Sequence, residues 1–208
     1  MELLRDIYLN LFEIKDGAKS YLSDKGSLHS YIDFYEKIFE QYRSEKISLL
    51  EIGIDKGGSL LLWKKYFENS EVIAGADKEI PTEVRQRLDE NKCIGYKLDA
   101  SNTESDAIQG KFDIIIDDAS HIPPEQIEIF KHNIKRLKED GIYIIEDVPK
   151  LDRDKAKYEE LAKQYGFIME IMDLREVNNR FDDVLIVYSK NGVINKAPVA
   201  KPQRTEKW

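Results

Sequence analysis

The chain carries a single cysteine, Cys93, so it can close no disulfide of its own. That economy suits a reducing cytoplasm, and Cys93 opens an expected strand, a poor place for a nucleophile. Histidines number three. Only His121 lies at an expected strand end, which argues against the two-histidine, one-carboxylate set of iron oxygenases. No apolar run approaches the roughly 20 residues needed to cross a bilayer. Acids interrupt Met1-Glu2-Leu3-Leu4-Arg5-Asp6, so the N-terminus does not read as a signal peptide. Positive charge is also short: 32 Lys and Arg against 40 Asp and Glu leave a net charge of −8, the wrong sign for a nucleic-acid partner.

What is present is an ordinary globular composition. With 208 residues, 41% of them hydrophobic, the chain suits one domain with a real core. Residues 1–45 read as a helical cap, because Tyr31, Phe34, Tyr35, Ile38 and Phe39 recur at helical spacing. Residues 46–190 alternate strand and helix. Strands are expected at 47–54, 71–76, 93–98, 112–116 and 141–145. Helices are expected at 59–67, 81–90, 123–137 and 152–165. Two further strands, 167–174 and 184–188, have no helix between them and should pair antiparallel at one edge. This is the pattern of an α/β, doubly wound, seven-stranded, mostly parallel sheet. Residues 191–208 read as a polar tail. The tail and the aromatic N-terminal helix are suited to a homo-oligomer.

Three strand ends carry the chemistry. Glu51-Ile52-Gly53-Ile54-Asp55-Lys56-Gly57-Gly58-Ser59 follows one strand and opens a helix. It departs from the dinucleotide form Gly-x-Gly-x-x-Gly, because Asp55 stands at the second glycine and would repel a pyrophosphate. Asp77 and Asp99 close the next two strands, and a carboxylate's two acceptor oxygens match the adjacent hydroxyls of a ribose. Asp117-Asp118-Ala119-Ser120-His121 and Glu146-Asp147 close two more. Ligands bind at the carboxyl ends of such strands. Four carboxylates in one crevice repel one another unless a cation joins them, and an all-oxygen set suits Mg²⁺. His121 is then placed to take a proton from a hydroxyl.

The glycine loop, with Asp77 and Asp99, resembles motif I and the following acids of class I methyltransferases. The resemblance implies a Rossmann-like fold and S-adenosyl-L-methionine as cofactor. It assigns cofactor contacts to Glu51, Gly53, Gly57, Ser59, Asp77, Asp99 and Asp117. The second and third segments resemble the metal-dependent sugar O-methyltransferases of macrolide biosynthesis and the related group named cephalosporin hydroxylases. Those proteins carry Asp-Asp-Gly-Ser-His, where this chain has Ala119 for the glycine. On that resemblance Asp118, Glu146 and Asp147 hold Mg²⁺, and His121, with Asp118, is catalytic. The stretch from Ser23 to Tyr31 resembles the same family's entry motif, which makes Lys25, His29 and Tyr31 candidate substrate contacts. The expected acceptor is a small molecule, a sugar or natural product. Two other readings stay open: a metal-independent methyltransferase with an N, phosphoryl or carboxylate acceptor, and a nucleotide-binding module without methyl transfer.

Overall fold

The computed structural model describes residues 2–194. The expected tail lies mostly outside the described residues. The chain opens with helix α1 (Leu4–Leu9), a two-stranded hairpin of β1 (Phe12–Lys15) and β2 (Ala18–Tyr21), and helix α2 (Ile32–Phe39). The hairpin corrects the expectation of helices throughout residues 1–45. Its physical cause is Asp16-Gly17, both at positive φ (52° and 78°), a pair that favours a tight hairpin turn between alternating residues.

The large sheet contains β3 (Ser48–Ile52), β4 (Val72–Asp77), β5 (Ile94–Lys97), β6 (Phe112–Asp117), β7 (Leu137–Ile145), β8 (Ile168–Asp173) and β9 (Val184–Ser189). Their order is β5-β4-β3-β6-β7-β9-β8. The first five are parallel, and β9 runs antiparallel between β7 and β8. The expected edge hairpin is therefore present, with β9 inside it. β7 begins at Leu137, four residues before the expected Gly141, because α5 (Pro123–Asn133) gives way to a short 3-10 turn before Leu137.

The remaining helices are α3 (Gly58–Tyr66), α4 (Thr82–Glu90), α6 (Leu151–Tyr165) and the short α7 (Arg175–Asn178). Alternate residues of the central strands feed two cores. Leu49, Ile114, Ile116, Ile142 and Ile144 pack beneath the N-terminal helices and α3. Leu50, Ile52, Ile115, Tyr143 and Ile145 pack beneath α5 and α6. Both faces of the strands are apolar because both are covered by helices. Strand order reverses between β3 and β6, the topological switch point where such sheets bind ligands. Among the described residues no helix is long and apolar enough to cross a membrane.

Candidate active site

At the switch point the backbone allows no side chain. Gly53 has φ +99°, and a Cβ there would lie 2.0 Å from the carbonyl oxygen of Asp118. Glycine is the residue that permits both the turn and the close approach. Gly57 has φ +78° and caps the start of α3, facing Leu88 and Val84 rather than open space.

Beyond this loop opens a cavity of about 490 Å³. Of the expected cofactor contacts, Gly53, Ser59, Asp77 and Asp99 line it; Glu51, Gly57 and Asp117 do not. Asp77 accepts hydrogen bonds from the backbone N–H groups of Ile54 (2.8 Å) and Glu79 (3.1 Å). Asp99 accepts from Ser101 through backbone N–H (2.9 Å) and hydroxyl (2.6 Å). Slight burial pushes the Asp99 carboxyl up, but Ser101 and Lys78 together bring it below the usual range. The cavity wall also includes Leu22, Ser23 and Asp24, which the sequence did not mark as cofactor contacts.

Asp118 lines the cavity and also belongs to a second group, with His121 and the buried Asp147. His121 Nε2 lies 3.2 Å from Asp147 Oδ2 and 3.6 Å from Asp118 Oδ1. The ligand atoms of these three residues lie within 4.8 Å of one another, a spacing that fits one shared cation. Two carboxylates with a neighbouring imidazole suit a hard divalent ion that keeps several waters. Hydrogen bonding to Asp118 lifts the His121 imidazole above its ordinary value against the pull of burial, and the charges of Asp147 and Asp118 add to it. Burial and the nearby Asp118 push the Asp147 carboxyl up to about 6. Asp147 also takes the left-handed backbone conformation, φ 52°, as the chain leaves β7. Strained backbone of this kind concentrates at functional sites.

The N-terminal segment supplies the partners of these acids. Lys25, with no exposed surface, donates to Asp118 Oδ2 (2.6 Å) and to both oxygens of Glu146 (2.8 Å each), and pairs with Glu51 Oε1 at 3.1 Å. Burial pulls the Lys25 ammonium down, and the three carboxylates outweigh it, so it is held well above its ordinary value. His29 is buried, not a surface helix residue. Its Nδ1 meets Asp183 Oδ1 at 2.6 Å and Asp147 Oδ1 at 3.1 Å. Tyr31 and Tyr35 donate their hydroxyls to Asp147 and Glu146 respectively. From the other side, Gln126 Nε2 donates to the Glu146 carbonyl (2.9 Å), and Gln126 Oε1 accepts from the Tyr158 hydroxyl (2.6 Å).

The candidate substrate contacts Lys25, His29 and Tyr31 therefore all turn toward carboxylates, and none lines the cavity. Glu51 is fully buried between Lys25 and the Trp63 indole N–H (3.0 Å). Asp117 is buried too, with its carboxyl pushed well up by burial. Sequence reasoning missed Tyr35 and Asp183 as members of this network. Tyr35 reads as one more apolar helix position, and Asp183 as a turn residue.

No family model matches the chain. Over 146 residues it is 35% identical to demethylmacrocin O-methyltransferase of Streptomyces fradiae, a match spanning 65% of this chain and 36% of that protein. Over 138 residues it is 35% identical to the 8-demethyl-8-alpha-L-rhamnosyl tetracenomycin-C 2'-O-methyltransferase of Streptomyces olivaceus, covering 61% of this chain and 35% of that one. The chain thus spans about a third of the length of the curated relatives it matches. Among solved structures, the MycE methyltransferase of the mycinamycin biosynthetic pathway, in complex with Mg and SAH, superposes with a TM-score of 0.63 at 23% identity, over 80% of this chain and 51% of its own. The fold is that of the Rossmann-like methyltransferases.

Proposed function

We propose that this chain is an S-adenosyl-L-methionine-dependent, Mg²⁺-assisted O-methyltransferase that acts on a hydroxyl of a sugar or another small polyhydroxylated natural product. One observation carries the reading: Asp118 is at once a wall of the 490 Å³ cavity and a member of the Asp118, His121, Asp147 cluster. A cofactor in the cavity and a hydroxyl at His121 are then neighbours across a single carboxylate. The relatives named above are sugar O-methyltransferases of natural-product pathways, which supports the same acceptor class.

In this reading Gly53 and Ser59 border the cofactor, and Asp77 and Asp99 take its hydroxyls and base. S-adenosylmethionine supplies an electrophilic methyl group on a sulfonium. Asp118 and Asp147, joined by Glu146 in exchange for one of its Lys25 contacts, would hold Mg²⁺, which would supply Lewis acidity that makes a nearby hydroxyl easier to deprotonate. His121, half exposed, receives the hydroxyl proton on Nε2 while the oxygen bonds to carbon and the carbon–sulfur bond releases its electron pair to sulfur. The work of the protein is to hold acceptor and donor in line. The residues 1–45 cap and the 46–190 catalytic unit act as one domain in a reducing cytoplasm, with a homo-oligomer as its assembly.

A second reading, methyl transfer without metal, is favoured by Lys25, which already brings a cation to Glu51, Asp118 and Glu146. A nucleotide module is disfavoured, since Asp24, Asp55, Asp77, Glu79 and Asp99 all line the cavity and repel phosphate.

Calorimetric titration of EDTA-treated protein with S-adenosylmethionine, then Mg²⁺, tests this. The expected result is cofactor binding, followed by a separate Mg²⁺ heat that disappears in Asp118→Ala. Cofactor binding with no Mg²⁺ heat, with and without a rhamnoside acceptor, selects the metal-independent reading. No cofactor binding overturns methyl transfer altogether.

A further inference from the structure

Burying an ammonium group is costly unless each of its three N–H bonds finds an acceptor. Lys25 meets that condition with carboxylates from three different strands: Glu51 on β3, Asp118 just after β6 and Glu146 just after β7. It reaches them from residues 22–31, a segment that also borders the cavity and Asp147. Leu22, Ser23 and Asp24 line the cavity ahead of it, and His29 and Tyr31 hold Asp147 behind it.

The contacts divide the acid oxygens into two sets. Lys25 takes Asp118 Oδ2 and both Glu146 oxygens. Asp118 Oδ1 is left on the His121 side, as is Asp147 Oδ2. An Asp118 freed of Lys25 rotates about its own side-chain bonds, and a Glu146 freed of it has a longer side chain still to settle.

We propose that Lys25 is a positioning residue for the cation site: its contact with Asp118 Oδ2 turns Asp118 Oδ1 toward Oδ2 of Asp147, whose Oδ1 His29 and Tyr31 hold from the same segment, so that the two oxygens face the ion together. This inference rests on the reading that Asp118 and Asp147 hold a divalent cation. It differs from a plain counter-ion role, which depends only on the local sum of charges. A positioning role depends on where the three N–H bonds point.

The full chain, titrated with Mn²⁺ alone and followed by the electron paramagnetic resonance of the free ion, separates the two. Lys25→Met by itself leaves buried Glu51 and Glu146 and half-buried Asp118 uncompensated and is expected to melt well below wild type. The pair Lys25→Met with Glu51→Gln removes one charge of each sign, and Glu51 is not among the proposed ligands. Lys25→Arg keeps the charge sum and changes only the contacts. Circular dichroism confirms which variants are folded. The expected result is saturable Mn²⁺ binding in wild type and at least tenfold weaker binding in the folded double variant and in Lys25→Arg. Wild-type or tighter Mn²⁺ affinity in either folded variant overturns the positioning role and leaves the metal reading standing. Absence of saturable Mn²⁺ binding in wild type overturns the metal reading, and the Lys25 inference with it.

Discussion

Asp77 and Asp99, at the ends of β4 and β5, face a cavity and are held by backbone N–H groups and a serine of their own loops, with one N–H, that of Ile54, from the loop after β3. Glu146 and Asp147, at the end of β7, are buried and held by Lys25, His29, Tyr31 and Tyr35, all from more than a hundred residues away. An acid that keeps contact with solvent needs only a donor or two from its own loop or the loop of the adjacent strand. An acid that has lost its water needs a partner of opposite charge, and a protein must bring that partner in from elsewhere. The two sides of the crevice should therefore respond differently to the same kind of substitution.

His29→Ala offers the sharpest contrast. It strips a partner from both Asp183 and Asp147 in a buried setting, and such losses cost about 3–5 kcal/mol. Urea unfolding should show that loss as a lower midpoint. A change below about 1 kcal/mol would mean the buried side is no more dependent on its partners than an exposed ion pair.

Gly58→Ala probes the seam between the sides. Alanine normally stabilises a helix relative to glycine by about 1 kcal/mol. Here a Cβ would lie 2.1 Å from the carbonyl oxygen of Leu22, so the sign should reverse. The expected cost is about 1–3 kcal/mol, with weaker S-adenosylmethionine binding, because overpacking forces backbone apart. Thermal melting with and without cofactor checks both effects.

Asp77→Asn should have the smallest effect on folding, under about 1 kcal/mol, because its contacts are only partly buried. Cofactor affinity measured by calorimetry should nevertheless fall about tenfold or more, the equivalent of one lost charge-assisted hydrogen bond at about 1.5–3 kcal/mol. Intact affinity would remove Asp77 from the cofactor contacts.

The same contrast governs how much could be read from the sequence. Strands β3, β4, β6 and β7 are visible as apolar runs because both faces of the sheet are covered, and the acids at their ends interrupt those runs abruptly. Gly53 and Asp77 were legible because their constraints are local. The role of Lys25 was not, because nothing in Ser23-Asp24-Lys25-Gly26-Ser27 distinguishes a surface turn from a segment buried under three strand ends. Asp183 was hidden for the same reason, since its partner His29 is 154 residues away. The β1–β2 hairpin is a different case. Asp16-Gly17 is a local signal, and it was overshadowed by the stronger helical periodicity of residues 31–39.

The long reach of Lys25 and His29 also sets an order of events during synthesis. Lys25 leaves the ribosome 93 residues ahead of Asp118 and 121 ahead of Glu146. At about 5–20 residues per second the second interval lasts roughly 6–24 s. Until Asp118 arrives, Glu51 is the only one of its three carboxylate partners that has been translated, and the set stays incomplete until Glu146. Asp183 arrives later still, just ahead of β9, the strand that completes the sheet. The charged centre can therefore lock only after nearly all of the sheet has been translated. A nascent chain that stops before Asp183 leaves His29 with only one of its two acid partners, Asp147, so an unfinished copy is left with an incomplete, hydrated centre on which quality control can act.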